Sequence, residues 1–197
     1  MDPVGGPVST PVGRAIALLA ALALVGVAAC SGGSSDDSGG GGAAVRPADE
    51  GIEGVLAIRI ESADHPAGTV DYDRHPPAGG DHNAAAAPCG FYTQQIADEY
   101  AVHTVEHGAV WLAYAPDLPA ADIAVLRAAV ADDPDAIATP YPGLEGEVAV
   151  VVTAWARQLS LTSVTDPRLE EFVERYANAS TAPEATVACA ALPPGQG

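Results

Sequence analysis

Lysine is absent. All eight basic residues are arginines, set against 26 acidic ones for a formal net charge of -18. Without lysine there is no amine for Schiff-base chemistry and no lysine for a phosphate loop. So acidic a chain repels phosphate, which excludes nucleic acid and anionic membrane surfaces as partners. Methionine occurs once, as Met1, so a Met-rich Cu(I) carrier is excluded once a leader is removed. No Gly-x-Ser-x-Gly elbow is present for an acyl-transfer serine. The apolar run Ala15–Ala29 has 15 residues, short of the roughly 20 that span a bilayer as a helix. What is present, 48% hydrophobic residues with 21 Gly and 17 Pro, suits a globular domain with loop-rich stretches rather than a wholly disordered chain. A length of 197 residues allows one domain, hardly two.

Residues 1–29 read as a signal peptide, a short polar start containing Arg14 followed by the apolar core. Val27-Ala28-Ala29-Cys30 resembles the lipobox of bacterial lipoproteins. The resemblance implies acylation of the Cys30 sulfur, cleavage before it, and a mature protein held by lipid on the extracytoplasmic face of the cell membrane. Ser31–Gly42 is a Gly/Ser-rich spacer that sets a folded body roughly 20 Å from its anchor. The expected organisation is therefore a leader (1–29), a lipidated cysteine and linker (30–50), a globular domain (51–191) and a disordered tail (192–197).

Three cysteines occur in all. With Cys30 acylated, Cys89 and Cys189 remain, and in an exported domain an even remainder points to a disulfide. The competing assignment makes Cys89 a metal thiolate, and one sulfur cannot do both. Cys189 has no neighbouring His or acidic ligand, so the bridge is the expectation adopted.

Residues alternating between two faces predict a strand at Gly54–Ile60, and apolar runs predict a second at Ala109–Tyr114 stopped by Pro116, a short one near Ala136–Ala138, and a long strand or hairpin across Val148–Leu161. Ile123, Leu126 and Val130 mark a helix over about 119–131, and Leu169, Phe172, Val173 and Tyr176 mark another behind Asp166-Pro167. The expected fold is α+β, a single domain with helices packed on a mostly antiparallel sheet.

Of five histidines, His75, His82, His103 and His107 fall within 33 residues, and His65 lies ten residues before them. In His103-Thr-Val-Glu106-His107 the two imidazoles are four apart. On a helix they share a face about 5–6 Å apart at Cβ and can chelate one ion; on a strand they stand roughly 13 Å apart and cannot. His75-Pro-Pro-Ala-Gly-Gly-Asp-His82 adds two imidazoles on a loop stiffened by proline. Convergence of the two segments makes His75, His82, His103, Glu106 and His107 the candidate ligands of Zn(II) or Cu(II), with Asp81 or Glu106 as ligand or supporting group. His-x-x-Glu-His also matches an inverted zinc-hydrolase motif. That motif belongs inside a long helix, whereas Gly108 and the strand at Ala109 cut any helix short. Binding rather than catalysis is the expectation, and the alternative is an interaction or structural module in which these side chains brace the loop.

His75-Pro-Pro-x-Gly-Gly-x-His82, Cys89-Gly-x-Tyr92, His103-x-x-Glu-His-Gly-x-Val-Trp-Leu-x-Tyr114, Pro140-Tyr-Pro-Gly-Leu144, Thr153-Ala-Trp155 and Cys189 together resemble a bacterial family catalogued as domain of unknown function 3105. The resemblance covers about residues 69–189. It supplies no reaction. It implies that the His-rich loop, Cys89, the His-Glu-His segment and Cys189 belong to one module.

Overall fold

The computed structural model describes residues 45–48, 51–187 and 189–193. The expected leader, Cys30 and most of the linker lie outside the described residues, as do residues 194–197 of the expected tail.

Ten elements follow in order: β1 (Val45–Pro47), β2 (Leu56–Ile58), β3 (Gly90–Phe91), α1 (Asp98–Glu106), β4 (Val110–Tyr114), α2 (Ala120–Asp132), β5 (Ala136–Pro140), β6 (Val150–Ala154), β7 (Arg157–Leu161) and α3 (Pro167–Tyr176). The strands form one sheet in the order β1-β2-β7-β6-β4-β5-β3. Pairing is antiparallel from β1 through to β4, and parallel where β5 joins β4 and β3. The sheet is therefore mixed and, with four of its six pairings antiparallel, mostly antiparallel as expected. Its parallel part arises because α2 carries the chain over one face between β4 and β5, the connection that parallel strands require.

β4 is buried at all five positions, which requires cover on both faces. Val110, Leu112 and Tyr114 pack with Leu126 and Val130 of α2 and with Leu169, Phe172 and Val173 of α3. Trp111 and Ala113 point the other way, against Ala101, Val102 and Val105 of α1 together with Ile137, Tyr141, Val151 and Trp155. The domain thus has three layers, α2 and α3 on one face, the sheet, and α1 with the His-rich loop on the other. The indole of Trp111 is matched inside: its Nε1 donates to Thr139 Oγ1 at 2.9 Å. α3 begins on Asp166, whose carboxylate accepts the Arg168 amide at 3.0 Å, with Pro167 in the first turn.

β1 pairs with β2, so the sheet already includes Val45–Pro47, within the stretch expected as linker. At the other end, the Cys89 amide donates to the Ala190 carbonyl and the Leu192 amide to the Cys89 carbonyl, both at 2.7 Å. Leu192, expected in the frayed tail, is held against the start of β3.

Candidate metal centre

α1 settles the question left open by the His103–His107 spacing, since His103 lies within the helix and His107 caps it. The helix is buried over most of its surface, including Glu99, His103, Thr104 and Glu106. Thr104 Oγ1 donates to the Ala87 carbonyl at 2.8 Å, which fastens α1 to the loop before β3. Gly108 then turns the chain into β4 with φ +101°, a backbone region that glycine enters at little cost. A Cβ there would stand 3.0 Å from Asn178 Oδ1 and 3.1 Å from Ala185 Cα, so the absent side chain also lets the C-terminal segment approach the helix end.

His103 and Glu106, three residues apart, project from one face of α1. The segment from Ser62 to Asn83 comes over that face and is tied to itself. The His82 amide donates to the Asp64 carbonyl at 3.0 Å, the Asp64 amide to Asp81 Oδ1 at 3.0 Å, and Tyr72 Oη to the Asp81 carbonyl at 2.7 Å. Hydrogen bonds from the Ser62 hydroxyl and the Asp64 amide hold the Asp81 carboxyl below the usual carboxylate range. Asp81 therefore acts as a supporting group that locks the two halves of the loop together. A buried glutamine anchors the loop to the sheet: Gln158 Nε2 donates to the Pro76 carbonyl at 3.0 Å and to Thr153 Oγ1 at 3.1 Å.

These ties bring His65, His82 and His103 into mutual contact, with ring centroids 4.5, 4.9 and 5.1 Å apart. One nitrogen from each and one Glu106 oxygen all lie within 4.8 Å of one another. Four ligand atoms on a tetrahedral ion with bonds of about 2.0–2.1 Å stand about 3.3–3.4 Å apart, so small side-chain rotations close the cluster around a cation.

The rings are already oriented for this. His82 Nδ1 lies 2.7 Å from the Gly80 carbonyl oxygen and His103 Nδ1 lies 2.6 Å from the Asn83 carbonyl oxygen. A carbonyl oxygen only accepts, so each Nδ1 carries the hydrogen and each Nε2 is turned inward. This is the outer hydrogen bonding that fixes the tautomer of metal-bound imidazoles. His82 Nε2 then lies 2.9 Å from Glu106 Oε2, and His65 Nε2 lies 3.6 Å from the same oxygen. A carboxylate oxygen and a bare imidazole nitrogen both present lone pairs, and at 2.9 Å they require a proton or a metal ion between them. His82 is fully buried, His103 and Glu106 nearly so, and the His65 side chain is 39% exposed. The cluster therefore has three interior members and one at the surface.

The five expected ligands divide. His82, His103 and Glu106 come together. His75 stands apart at the surface, its Nδ1 3.3 Å from Tyr141 Oη and 3.6 Å from Asp98 Oδ2. Tyr141 donates to Asp98 at 2.8 Å. Burial raises the Asp98 carboxyl above its ordinary range, with the Tyr141 and His75 contacts opposing, and burial beside Asp98 pushes the Tyr141 phenol upward. His107 sits at the edge of the cluster, its Nε2 2.9 Å from His103 Nε2 and 3.3 Å from Glu184 Oε2. Burial first, and His103 second, lower its pKa. Cys89 and Cys189 are bridged, with Cα atoms 5.7 Å apart, which removes the thiolate alternative. The residue that sequence reasoning passed over is His65. Its one signal is a repeated dipeptide, Asp64-His65 and Asp81-His82, whose two copies the structure lays side by side.

In the inverted hydrolase arrangement both histidines of His-x-x-Glu-His hold the zinc while the glutamate acts on water. Here Glu106 is within the ligand cluster and His107 lies outside it, so the motif's division of labour is not reproduced.

Fold and cluster together define an α+β domain that bears a histidine and carboxylate set of metal-ligating type on one face of a mixed sheet. Residues 65–191 match the family described as "Protein of unknown function (DUF3105)", and the chain belongs to that family. The matched span begins at His65 and includes all four members of the cluster as well as both bridged cysteines. No curated protein and no solved structure matches the chain.

Proposed function

We propose that this protein is a metal-binding lipoprotein of the extracytoplasmic face, anchored by lipid on Cys30, whose domain holds one Zn(II) or Cu(II) ion on His65, His82, His103 and Glu106. The observation that carries the metal reading is the pair of inward Nε2 atoms fixed by Nδ1–H bonds to the Gly80 and Asn83 carbonyls, with Glu106 Oε2 2.9 Å from one of them. Three imidazoles and a carboxylate suit a borderline divalent ion. The exposed position of His65 supplies a way in.

Protein purified without a histidine tag is expected to carry close to one equivalent of metal per chain, and His82→Ala combined with His103→Ala to carry less than about a tenth of that, since two of the four ligands are gone. Metal well below one equivalent in the wild type, unchanged in the double variant, overturns the reading and leaves the cluster as a brace within an interaction module.

The anchor rests on the Val27-Ala-Ala-Cys30 sequence and the spacer behind it. Among the described residues no helix is long and apolar enough to cross a membrane. The full-length protein is expected to partition into detergent with a mature end at Cys30, and Cys30→Ala to remain uncleaved. Wild-type protein recovered in the aqueous phase with another mature end contradicts the anchor.

A further inference from the structure

His107 is the imidazole that the i, i+4 spacing offers as a ligand and the cluster leaves out. Its Nε2 faces two atoms, His103 Nε2 at 2.9 Å and Glu184 Oε2 at 3.3 Å. His103 Nδ1 already gives its hydrogen to the Asn83 carbonyl, so in the neutral ring His103 Nε2 is bare. The Glu184 carboxylate also only accepts. Both partners of His107 Nε2 are acceptors, which places the hydrogen of a neutral His107 on that nitrogen.

A metal ion on His103 Nε2 takes the same lone pair that His107 Nε2–H is using. We infer that His107 is a latch rather than a ligand: metal arriving at His103 transfers the His107 hydrogen bond wholly to Glu184 and so tightens the C-terminal segment against α1. No proton is gained or lost by His107 in this exchange, and only the acceptor changes. Glu184 is well placed to pass the change on. Its amide donates to the Glu106 carbonyl at 3.1 Å and its carbonyl accepts from the Val187 amide at 2.9 Å. Farther along, the chain is pinned by the Cys89–Cys189 bridge. The latch rests on the metal reading above, and its test separates the two.

Three measurements on the full chain in detergent decide it. Zn(II) titration is expected to give His107→Ala a dissociation constant within about threefold of wild type, whereas losing a ligand or its direct support costs about tenfold or more. Co(II) used as a probe is expected to show the same visible bands in both proteins. Hydrogen exchange at the Glu184 and Val187 amides is expected to slow on Zn(II) addition in the wild type but not in Glu184→Ala, whose Zn(II) affinity stays within about threefold. A tenfold or larger loss in His107→Ala with altered Co(II) bands makes His107 a ligand and overturns the latch. Unchanged exchange in a wild type that binds Zn(II) overturns the latch and leaves the metal site standing. A wild type that takes up neither Zn(II) nor Cu(II) overturns both.

Discussion

Cys89→Ala and Cys189→Ala are each expected to lower the unfolding free energy by about 2–5 kcal/mol, and the double variant by little more than either alone. The bridge joins residues 100 apart in sequence, and in the chain-entropy account a closed loop of that length restrains the unfolded chain by up to about 4.7 kcal/mol. At roughly 4 °C per kcal/mol for a domain of this size, melting should fall by roughly 8–20 °C. The near-identity of the three variants follows because either change removes the same bond. Backbone bonds from Cys89 to Ala190 and Leu192 remain in all three variants, so the C-terminal segment should loosen without leaving the sheet edge. Two free thiols in protein from an oxidising compartment, or additive losses in the double variant, would refute this account. Calorimetry with and without a reductant that reaches the bridge gives the same comparison with no mutation.

Apolar runs and helical period made the sheet centre and two helices legible. β4, β5 and the β6–β7 hairpin fall where runs of apolar residues placed them, and α2 and α3 begin where proline and an acidic cap marked them. α1 was not legible as a helix, and its burial shows why. A helix with Glu99, Ala101, Val102, His103, Thr104, Val105 and Glu106 all inside has no solvent stripe, so the periodic contrast on which recognition rests is missing. β1 and β3, at three and two residues, are too short to carry a period. The site was legible in part for the same reason. His103 and Glu106 are linked by helical spacing that local sequence displays, whereas His65 reaches the cluster through loop bonds between Asp64, Asp81 and His82. Those contacts have no periodic signature. His75, on the same proline-rich loop as His82, was grouped with it by proximity in sequence, yet it pairs with Asp98 and Tyr141. The prolines of that loop were expected to hold its two histidines for one site, yet the loop directs them to different places. Gly79 shows the packing that decides this, since a Cβ there would stand 2.9 Å from Ile60 and 3.3 Å from Trp155.

Glu106 offers the sharpest separation of structural from metal-binding roles. In the metal-free protein it is the partner of His82, fully buried, at 2.9 Å. Glu106→Ala leaves that imidazole with no partner on Nε2, and a buried acceptor left unsatisfied costs about 1–3 kcal/mol, with the lost packing of the side chain on top. Glu106→Gln keeps the shape and supplies a carboxamide N–H, which donates to the bare Nε2 of a neutral His82. Its cost in the presence of a chelator should stay within about 1.5 kcal/mol, the net worth of one ordinary hydrogen bond. With metal the two variants should converge. A neutral amide replaces an anionic ligand in one and nothing replaces it in the other, so both should lose at least about tenfold in Zn(II) affinity. Both should also lose most of the added stability that saturating metal gives the wild type, about 2.7 kcal/mol at a free concentration one hundred times the dissociation constant. Denaturant titrations in chelator and in excess Zn(II), run on the three proteins side by side, read both effects. Equal stability of the alanine and glutamine variants in chelator would show that His82 does not depend on Glu106. Undiminished metal affinity in the glutamine variant would place Glu106 outside the ligand set, leaving the three imidazoles to hold the ion.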